Sequence, residues 1–389
     1  MKNSKTTKQK SVLFIVDNYH VGGVTSFVKQ YIEILLENGF SITILGFPSD
    51  IENPGKFFKG CTVLQINQKV QYNLSGRVKN LYAFLKTLHR IYLLTNIDIV
   101  HFGTTLSTLY ALLHPTTWRK KRVITFYGAY DLERKSMSKQ GKILCFFRRK
   151  LQELTLTQAS KIITFSTYAK DLIGTHFNHA LLKKVQIIPG YITDKKTQSS
   201  LKKRLPFFKI VNFGRAEPRK GLDLLLEASK LLISNGHKIK VFIASPFSYF
   251  LTHQELLNLY ETLHLKDAVH FLHALNEEEK KELLSDADLF IIPSKELETF
   301  GLTIIEALSQ NVPAIGTNTG AIPEILKPIH ENLITKKSTA KHLAKQIEWY
   351  IQLSDKEKSH IKDEISKRVE HLYTKTICSK LLLQTYKEL

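Results

Sequence analysis

Short apolar runs alternate with amphipathic stretches along most of the chain. In the first half, the runs that predict strands lie at residues 12–16, 41–46, 97–102, 123–126, 161–165 and 185–188. Between them, apolar residues recur every three or four positions at 25–38, 81–94 and 106–113, which predicts helices. Strands that alternate with helices are typical of a parallel sheet with helices on both faces. The first half therefore predicts a doubly wound α/β domain.

The second half repeats this organisation. Predicted strands lie at 209–213, 240–244, 269–272, 289–293 and 313–316, and predicted helices at 222–235, 253–263, 277–284 and 302–308. From residue 340 the pattern is helical, so we expect a long terminal helix that packs back on the domains. A polar, basic stretch between the two series predicts a linker. The expected organisation is a first domain at 1–192, a linker at 193–206, a second domain at 207–355 and a C-terminal helical segment at 356–389.

The composition excludes several classes of protein. Hydrophobic residues make up 43% and charged residues 23% of the 389 residues, as in a globular protein. The apolar runs are far shorter than the roughly 18 residues of a membrane-spanning helix, and the run after the N-terminal lysines is too short for a signal peptide. Cys61, Cys145 and Cys378 are scattered, which fits neither a disulfide framework nor a metal site. We therefore expect a cytoplasmic protein without a spanning helix.

The charge is distributed unevenly between the two halves. The net charge is +21; residues 1–205 contain 32 Lys and Arg against 11 Asp and Glu, whereas residues 206–389 contain 24 of each. Such an excess predicts an anionic partner for the first domain, either an anionic membrane surface, a phosphorylated substrate or nucleic acid. No recognisable nucleic-acid-binding module is present, which disfavours the last. Solvated surface charge without a partner is the remaining alternative.

A basic turn follows the first strand of the second half. Arg215 and Lys220 lie between the predicted strand 209–213 and the predicted helix that begins at 222. Ligands of open α/β sheets bind at the carboxyl ends of the strands, where the N-terminus of a helix also attracts anions. Two cations on such a turn suit a diphosphate, or are simply exposed on the surface. The sequence of a Walker loop is absent, so NTP hydrolysis is not indicated.

An acidic segment follows the predicted strand 289–293. Gly301 directly precedes a helix and lets the backbone approach a ligand closely. Glu306, about one turn into that helix, can accept hydrogen bonds from a sugar diol, and Glu298 lies just before the helix. The segment therefore predicts that two carboxylates and unpaired amides converge at one sheet edge.

These segments together resemble the family 4 retaining glycosyltransferases, which have the GT-B fold. The matching positions agree in order and spacing over about 120 residues. They are Gly214-Arg215 with Lys220-Gly221, Pro293-Ser294, Glu298 and Glu306 with Phe300-Gly301 between them, and Gly320-x-x-Pro-Glu324. In the first half, Gly22 and Gly23 look like the family's glycine-rich loop after the first strand.

The resemblance implies a fold, a reaction and a set of roles. Two Rossmann-like domains would face each other across a cleft, with the acceptor in the first, the nucleoside-diphosphate-sugar donor in the second, and a C-terminal helix packing back. A sugar would pass with retention to a cell-envelope or lipid-linked glycan. The implied roles are Arg215 and Lys220 on the donor diphosphate, Glu306 on the ribose, Glu298 at the transferred sugar, the amides of Phe300, Gly301 and Leu302 on phosphate or sugar, and Gly22 and Gly23 near the donor. No metal or other cofactor is implied, because the two cations stabilise the leaving diphosphate.

Two further positions differ from the family pattern, and two histidines are candidate substrate contacts. Tyr127 stands where many members carry a His, so its hydroxyl is a candidate to hydrogen-bond the donor sugar or acceptor. The exchange also leaves open a noncatalytic, nucleotide-sugar-binding subunit of a glycan assembly complex. His101 follows the apolar run 97–100, His273 follows the predicted strand 269–272, and both are further candidates for substrate contact. Asn311 replaces a family Gly, and Asn is the usual substitute for Gly in a left-handed cap.

The charge asymmetry and the implied acceptor together place the protein on a membrane. We expect a cytoplasmic protein that docks peripherally on the inner face through its basic first domain. A phosphorylated soluble acceptor would require the same sign of charge.

Overall fold

The chain forms two separate parallel sheets, as the alternation of strands and helices predicts. A computed structural model describes residues 9–389 except 20–22, 50, 69, 72, 104, 130, 133–141, 193–204, 246–249 and 274. Strands of the first half pair only with one another, and so do those of the second half, among the described residues. Most of the predicted linker, including its basic residues 202–204, lies outside the described residues.

The first sheet has seven parallel strands in the order β3-β2-β1-β4-β5-β6-β7. The strands are β1 Ser11–Asn18, β2 Ser41–Phe47, β3 Thr62–Gln65, β4 Ile99–Phe102, β5 Lys121–Thr125, β6 Lys161–Thr164 and β7 Val185–Ile187. The sequence pattern did not predict β3, which has four residues at the sheet edge and none fully buried. A strand exposed in this way carries little of the apolar signal by which strands are recognised.

Helices cover both faces of the first sheet. They are α1 Gly23–Glu37, α2 Pro54–Phe57, α3 Leu74–Leu94, α4 Thr105–Leu112, α5 Pro115–Trp118, α6 Lys142–Thr157 and α7 Thr167–Leu172, which continues into a π-helical turn at Ile173–Phe177 and a 3-10 turn at His179–Lys184. Alternate strand residues enter two different apolar clusters, as the period of a strand requires. One cluster contains residues of α1, and the other contains Phe84 of α3, Ala111 of α4 and Leu156 of α6. We call α3, α4 and α6 the outer helical layer.

The second sheet has five parallel strands in the order β10-β9-β8-β11-β12. Its strands are β8 Phe208–Phe213, β9 Ile239–Ala244, β10 Val269–Leu272, β11 Leu289–Ile292 and β12 Ala314–Gly316. Its helices are α8 Leu222–Ser234, α9 Phe250–Thr262, α10 Glu277–Ser285, α11 Leu302–Ser309 and α12 Ile322–Leu326, with 3-10 turns at Pro218–Lys220 and Glu331–Leu333. The strand order reverses between β8 and β11, and ligands of doubly wound sheets bind at such a switch point.

The chain from residue 340 onwards forms three helices rather than one long helix, so that expectation was wrong. They are α13 Ala340–Gln352, α14 Asp355–Leu372 and α15 Lys375–Lys387. Ser354 and Glu357 exchange side-chain to backbone hydrogen bonds at the start of α14, and the Thr374 side chain caps α15. A Ser followed three residues later by a Glu signals a helix start.

The last helix does pack back on the first domain, as expected. Lys375 pairs with Glu37 of α1, and the Tyr386 ring contacts that of Phe40. The Tyr386 hydroxyl lies 2.6 Å from Nδ1 of His101. The chain therefore ends on the domain where it begins.

The placement of His101 corrects its assignment as a substrate contact. His101 lies within β4 rather than after it, and its side chain is buried. Its two ring nitrogens are used by Tyr386 and by the Thr125 hydroxyl, which is 2.7 Å from Nε2. Burial lowers the pKa of His101 to about 3, so the ring is neutral at physiological pH. His101 is a core residue that ties α15 to the first sheet.

Candidate active site

Two loops meet at the carboxyl edge of the second sheet. Gly221 ends the turn after β8 with a left-handed φ of +68°, and a Cβ atom there would lie 2.0 Å from the carbonyl oxygen of Pro293, just after β11. Only glycine allows this approach, which brings the two predicted motifs together. The peptide N–H of Lys295 also donates to the carbonyl of Arg219 at 2.7 Å.

A buried carboxylate holds the basic turn in shape. Glu217 is buried and pairs with Arg215 and Arg219, each at 2.8 Å. Arg219 is itself buried, whereas the Arg215 side chain is half exposed. Arg215 is therefore anchored at one side and presented to solvent. Glu217 and Arg219 were not among the predicted site residues, although a Glu between two Arg on one short turn is a signal for such a cluster.

Glu298 and Lys220 form an ion pair where the two loops meet. Lys220 Nζ lies 2.6 Å from Oε2 of Glu298, and the Ser294 hydroxyl lies 3.3 Å from the same oxygen. Burial is the largest single influence on the pKa of Glu298 and acts to raise it, but the charge and hydrogen bond of Lys220, the charge of Arg219 and the Ser294 hydroxyl together hold the pKa below its ordinary value. Glu298 is therefore ionised at neutral pH.

Glu306, in contrast to Glu298, lies in an environment that favours its protonated form. Its Oε1 lies 3.7 Å from Lys280 of α10, and its buried Oε2 has no hydrogen-bond partner among the described residues. Burial raises the pKa of Glu306 to about 7, and Glu277 adds to this effect while Lys280 opposes it. An unpartnered buried oxygen can accept a hydroxyl of a ligand. Lys280 was not predicted, since only the fold brings α10 to α11.

Gly301 and Leu302 lie at the N-terminus of α11. Gly301 has a left-handed φ of +85° and caps the helix. Within the described chain, the amides of Gly301 and Leu302 have no acceptor. They are available to an anion, as expected from a helix N-terminus.

The Phe300 side chain belongs to the contact between the domains. Its ring lies 5.4 Å from that of Phe27 and 5.7 Å from that of Phe165, both in the first domain. The Thr299 hydroxyl donates to the carbonyl of Tyr127 at 2.7 Å. The acidic segment therefore touches the first domain directly, and both domains border the site.

The hydroxyl of Tyr127 is buried and has no hydrogen-bond partner among the described residues. Burial raises its pKa, so the hydroxyl is protonated at neutral pH. The ring packs 5.5 Å from that of Phe165, and the backbone carbonyl accepts the hydrogen bond from Thr299. The contact of the Tyr127 hydroxyl with donor or acceptor stays a prediction.

The other predicted residues have mixed outcomes. Gly22 lies outside the described residues. Gly23 begins α1 with open space where a Cβ would stand, so packing does not require the glycine. His273 is exposed at the end of edge strand β10 and lies 3.5 Å from Glu279, the neighbour of Lys280. Its nucleotide contact stays a prediction.

The described residues contain neither a candidate metal site nor a candidate membrane span. Within them, no group of three His, Cys, Asp or Glu is arranged to hold a metal ion. Across the same residues, no helix is long and apolar enough to cross a bilayer. Two surface cavities lie away from the candidate site residues; one is among α13, α14 and the turn at Glu331–Leu333, and the other adjoins Phe208 at the opposite edge of the sheet.

Comparison with known proteins defines the class. A family model described as Glycosyltransferase Family 4 matches residues 21–195, and one described as Glycosyl transferases group 1 matches residues 193–368. Both halves of the chain are therefore glycosyltransferase domains. The chain belongs to the family 4-type glycosyltransferases and has their GT-B fold, as the resemblance implied.

The relatives are distant. One subunit of human phosphatidylinositol N-acetylglucosaminyltransferase is 25% identical over 334 residues, which are 84% of this chain and 65% of that protein. The chain thus spans slightly less than two thirds of the human relative.

Solved structures share the fold over nearly the whole chain. Sucrose-phosphate synthase from Thermosynechococcus elongatus has a TM-score of 0.81 at 17% identity, covering 98% of this chain and 99% of its own. Anabaena HepE, solved with UDP and glucose, has a TM-score of 0.78 at 17% identity, covering 98% of this chain and all of its own.

Proposed function

We propose that the chain is a retaining glycosyltransferase that moves a sugar from a nucleoside-diphosphate sugar to a cell-envelope or lipid-linked glycan. One observation carries the proposal. The Lys220–Glu298 pair and the unpartnered oxygen of Glu306 lie in the segments that converge beyond the β8–β11 switch point. A diphosphate needs cations and free amides, whereas ribose and sugar hydroxyls need carboxylate acceptors. The UDP and glucose bound to HepE support the same ligand class.

The reaction assigns a different role to each charged group. When the bond from the anomeric carbon to the diphosphate oxygen breaks, its electron pair leaves with the diphosphate. Lys220 and Arg215 stabilise that negative charge. Glu298, ionised and beside Lys220, stabilises the positive charge that develops on the sugar. Glu306 holds the ribose, and the residues near Gly23 complete the donor pocket from the first domain.

The domains divide the work in this proposal. Residues 207–355 bind the donor, residues 1–192 bind the acceptor, residues 193–206 link them, and 356–389 is the C-terminal segment. The protein lies in the cytoplasm, peripherally on the inner face of the membrane. The basic first domain supports this position.

A panel of nucleoside-diphosphate sugars tests the proposal. Thermal shift identifies a donor, and labelled sugar from that donor is then offered with a membrane extract. Transfer of label into lipid or glycan, without inversion at the anomeric carbon, is expected. No stabilisation by any donor would contradict the proposal.

A noncatalytic subunit is the second candidate. The buried hydroxyl of Tyr127, at the position where many members have a His, favours it. The human relative is also named as one subunit of its transferase. Such a protein would be stabilised by a nucleotide sugar but would neither transfer nor hydrolyse it, even with membrane extract.

Donor affinity is expected to rise with pH through about 7. Glu306 is largely protonated below that pKa and becomes a full acceptor for the ribose hydroxyls above it. Isothermal titration with a nucleoside-diphosphate sugar, whose own diphosphate does not titrate near neutrality, measures the profile. Glu306→Gln should bind more weakly than wild type at alkaline pH and with a flatter profile. An unchanged slope in Glu306→Gln would reject this role.

Transfer is expected to persist in excess EDTA. Arg215 and Lys220 supply the positive charge that a divalent cation supplies to other diphosphate leaving groups. Initial rates with and without EDTA should agree within about twofold. Complete loss, restored by magnesium or manganese, would show that the two cations are insufficient.

A further inference from the structure

The outward face of α6 is apolar, whereas a helix that only covers a sheet has a polar outward face. Its outward face carries Phe146, Phe147, Leu151 and Leu154, all exposed, with Phe147 at 63%. The inward face buries Gln152, which donates to the carbonyl of Gly128, together with Thr155 and Leu156. Four large apolar side chains on one exposed face indicate a surface that a partner covers.

Helix α3 of the same layer repeats this arrangement. Val78, Tyr82 and Leu93 share one exposed stripe, and Tyr82 is 68% exposed. Across the described residues, ten of the twelve exposed large apolar side chains belong to the first domain. The two others are Leu231 and Leu372, which are isolated on α8 and α14. The apolar exposure is therefore a property of one region.

Cations accompany these apolar side chains. The sequences of α3 and α4 contain no Asp or Glu, and α6 contains only Glu153. The exposed cations of α3 and α6 are Arg77, Lys79, Lys86, Arg90 and Lys150, and Arg148 and Arg149 are half-buried. The layer thus combines exposed aromatic and aliphatic groups with a strong excess of positive charge.

We propose that the exposed faces of α3 and α6 form a docking surface for an anionic lipid bilayer. Large apolar side chains enter the boundary between headgroups and acyl chains, while Lys and Arg remain at the headgroups. The excess of positive charge favours a bilayer as the partner, because the cytoplasmic leaflet is anionic. The inference deepens the proposed function by naming the part of the chain that meets the membrane.

The topology also sets the orientation of this surface. Helices α3 and α6 each run from the carboxyl end of one strand to the amino end of another, so their first turns lie at the sheet edge that faces the second domain. Tyr82 and Phe147 are in the first half of their helices. A lipid-linked acceptor held in the bilayer is therefore presented beside the active site.

Co-sedimentation with vesicles tests the surface. Wild type should bind vesicles of phosphatidylglycerol and phosphatidylcholine more tightly than vesicles of phosphatidylcholine alone. Phe146→Ser with Phe147→Ser should lower the partition coefficient on anionic vesicles about tenfold or more. Lys79→Gln with Lys86→Gln and Arg90→Gln should lower binding at low salt and reduce its salt dependence. Leu231→Ser with Leu372→Ser, the matched apolar control, should bind like wild type.

A fluorescence measurement reports insertion directly. In a chain that also carries Trp118→Phe and Trp349→Phe, tryptophan introduced by Phe147→Trp should be quenched by vesicles whose acyl chains carry bromine, whereas tryptophan introduced by Leu372→Trp should not. Melting temperatures of the Ser and Gln variants should match that of wild type, since the replaced side chains are exposed.

Several outcomes would overturn the docking surface. They are equal binding of wild type to neutral and anionic vesicles, wild-type binding by the Phe146→Ser, Phe147→Ser variant, or an equal loss in the Leu231→Ser, Leu372→Ser control. Self-association that the phenylalanine variant abolishes, without vesicle binding, would indicate a protein interface instead. Donor stabilisation measured without vesicles is independent of these results. Its failure with intact vesicle binding would reject the proposed function and leave the surface standing.

Discussion

Lys220→Ala is expected to weaken binding of a nucleoside-diphosphate sugar by about 10- to 100-fold, the loss of one charged hydrogen bond to the diphosphate. Arg215→Ala should have an effect in the same range. Isothermal titration with the donor identified in the panel measures both. Lys266→Ala is the matched control, because Lys266 also lies in the second domain and pairs with a Glu, Glu261, but its side chain is exposed.

The two substitutions should differ in their effect on stability. Lys220→Ala leaves the buried Glu298 without its cation, so we expect a loss of about 3 kcal/mol in the free energy of unfolding at neutral pH. The pKa of Glu298 is lowered on folding, so the pair stabilises the protein above the ordinary carboxyl pKa, and this contribution disappears as pH falls through the lowered value. Arg215→Ala should cost less, because Arg215 is half exposed and Arg219 still pairs with Glu217.

A double variant separates the effect on stability from the effect on donor affinity. Lys220→Ala with Glu298→Gln should recover stability, since no unpaired buried carboxylate remains, but should not recover donor affinity. Wild-type affinity in both Lys220→Ala and Arg215→Ala, with every donor that the chain accepts, would reject the diphosphate assignment.

Glu298→Gln is expected to slow sugar transfer by about 100- to 1000-fold, an effect of the size seen when one preorganised electrostatic contact to a transition state is removed. Gln has the shape of Glu and keeps its hydrogen-bonding oxygen, but it cannot stabilise positive charge on the sugar. Lys220 loses its intramolecular partner and remains available to the diphosphate. Donor affinity should therefore change far less than the rate.

Initial rates and donor affinities of the same preparations measure this difference. Glu282→Gln, on the exposed surface of α10, is a suitable control. A rate equal to that of wild type would remove Glu298 from the reaction. An absence of transfer in wild type itself, with donor binding intact, would favour the noncatalytic alternative.

The position of the candidate site could be predicted from the sequence because it follows from topology. Parallel strands place their carboxyl ends at one edge, so the segments after β8 and β11 had to meet once both were recognised as strands of one sheet. The Lys220–Glu298 contact realises that expectation. Asn311 adopts the left-handed φ, +55°, that its place in the sequence implied.

The details of the site depend on packing that no local pattern encodes. Lys280 meets Glu306 only because α10 folds against α11. The Tyr127 hydroxyl is buried in a side chain that packs against Phe27 and Phe165, two residues distant in the sequence. His101 was misplaced because a polar residue at the end of an apolar run can end a strand or lie inside it, and only Tyr386, from the far end of the chain, satisfies it.

Helix α6 was missed for a different physical reason. Sequence patterns are interpreted on the assumption that apolar residues face inward. In α6 the apolar residues Phe147 and Leu154 are exposed, and the buried Gln152 is polar. The outward-facing apolar residues prevented this helix from being predicted, and the same residues indicate that a partner covers it.

The return of α15 to the first domain affects how hybrid enzymes should be built. A donor domain exchanged at residue 206 would import a foreign final helix and leave His101 facing a residue other than Tyr386. A second crossover in the break between α14 and α15, at Tyr373–Thr374, would keep residues 375–387 with the sheet on which they pack. Donor specificity could then be transplanted without loss of the acceptor domain, whereas single-crossover hybrids should fold poorly.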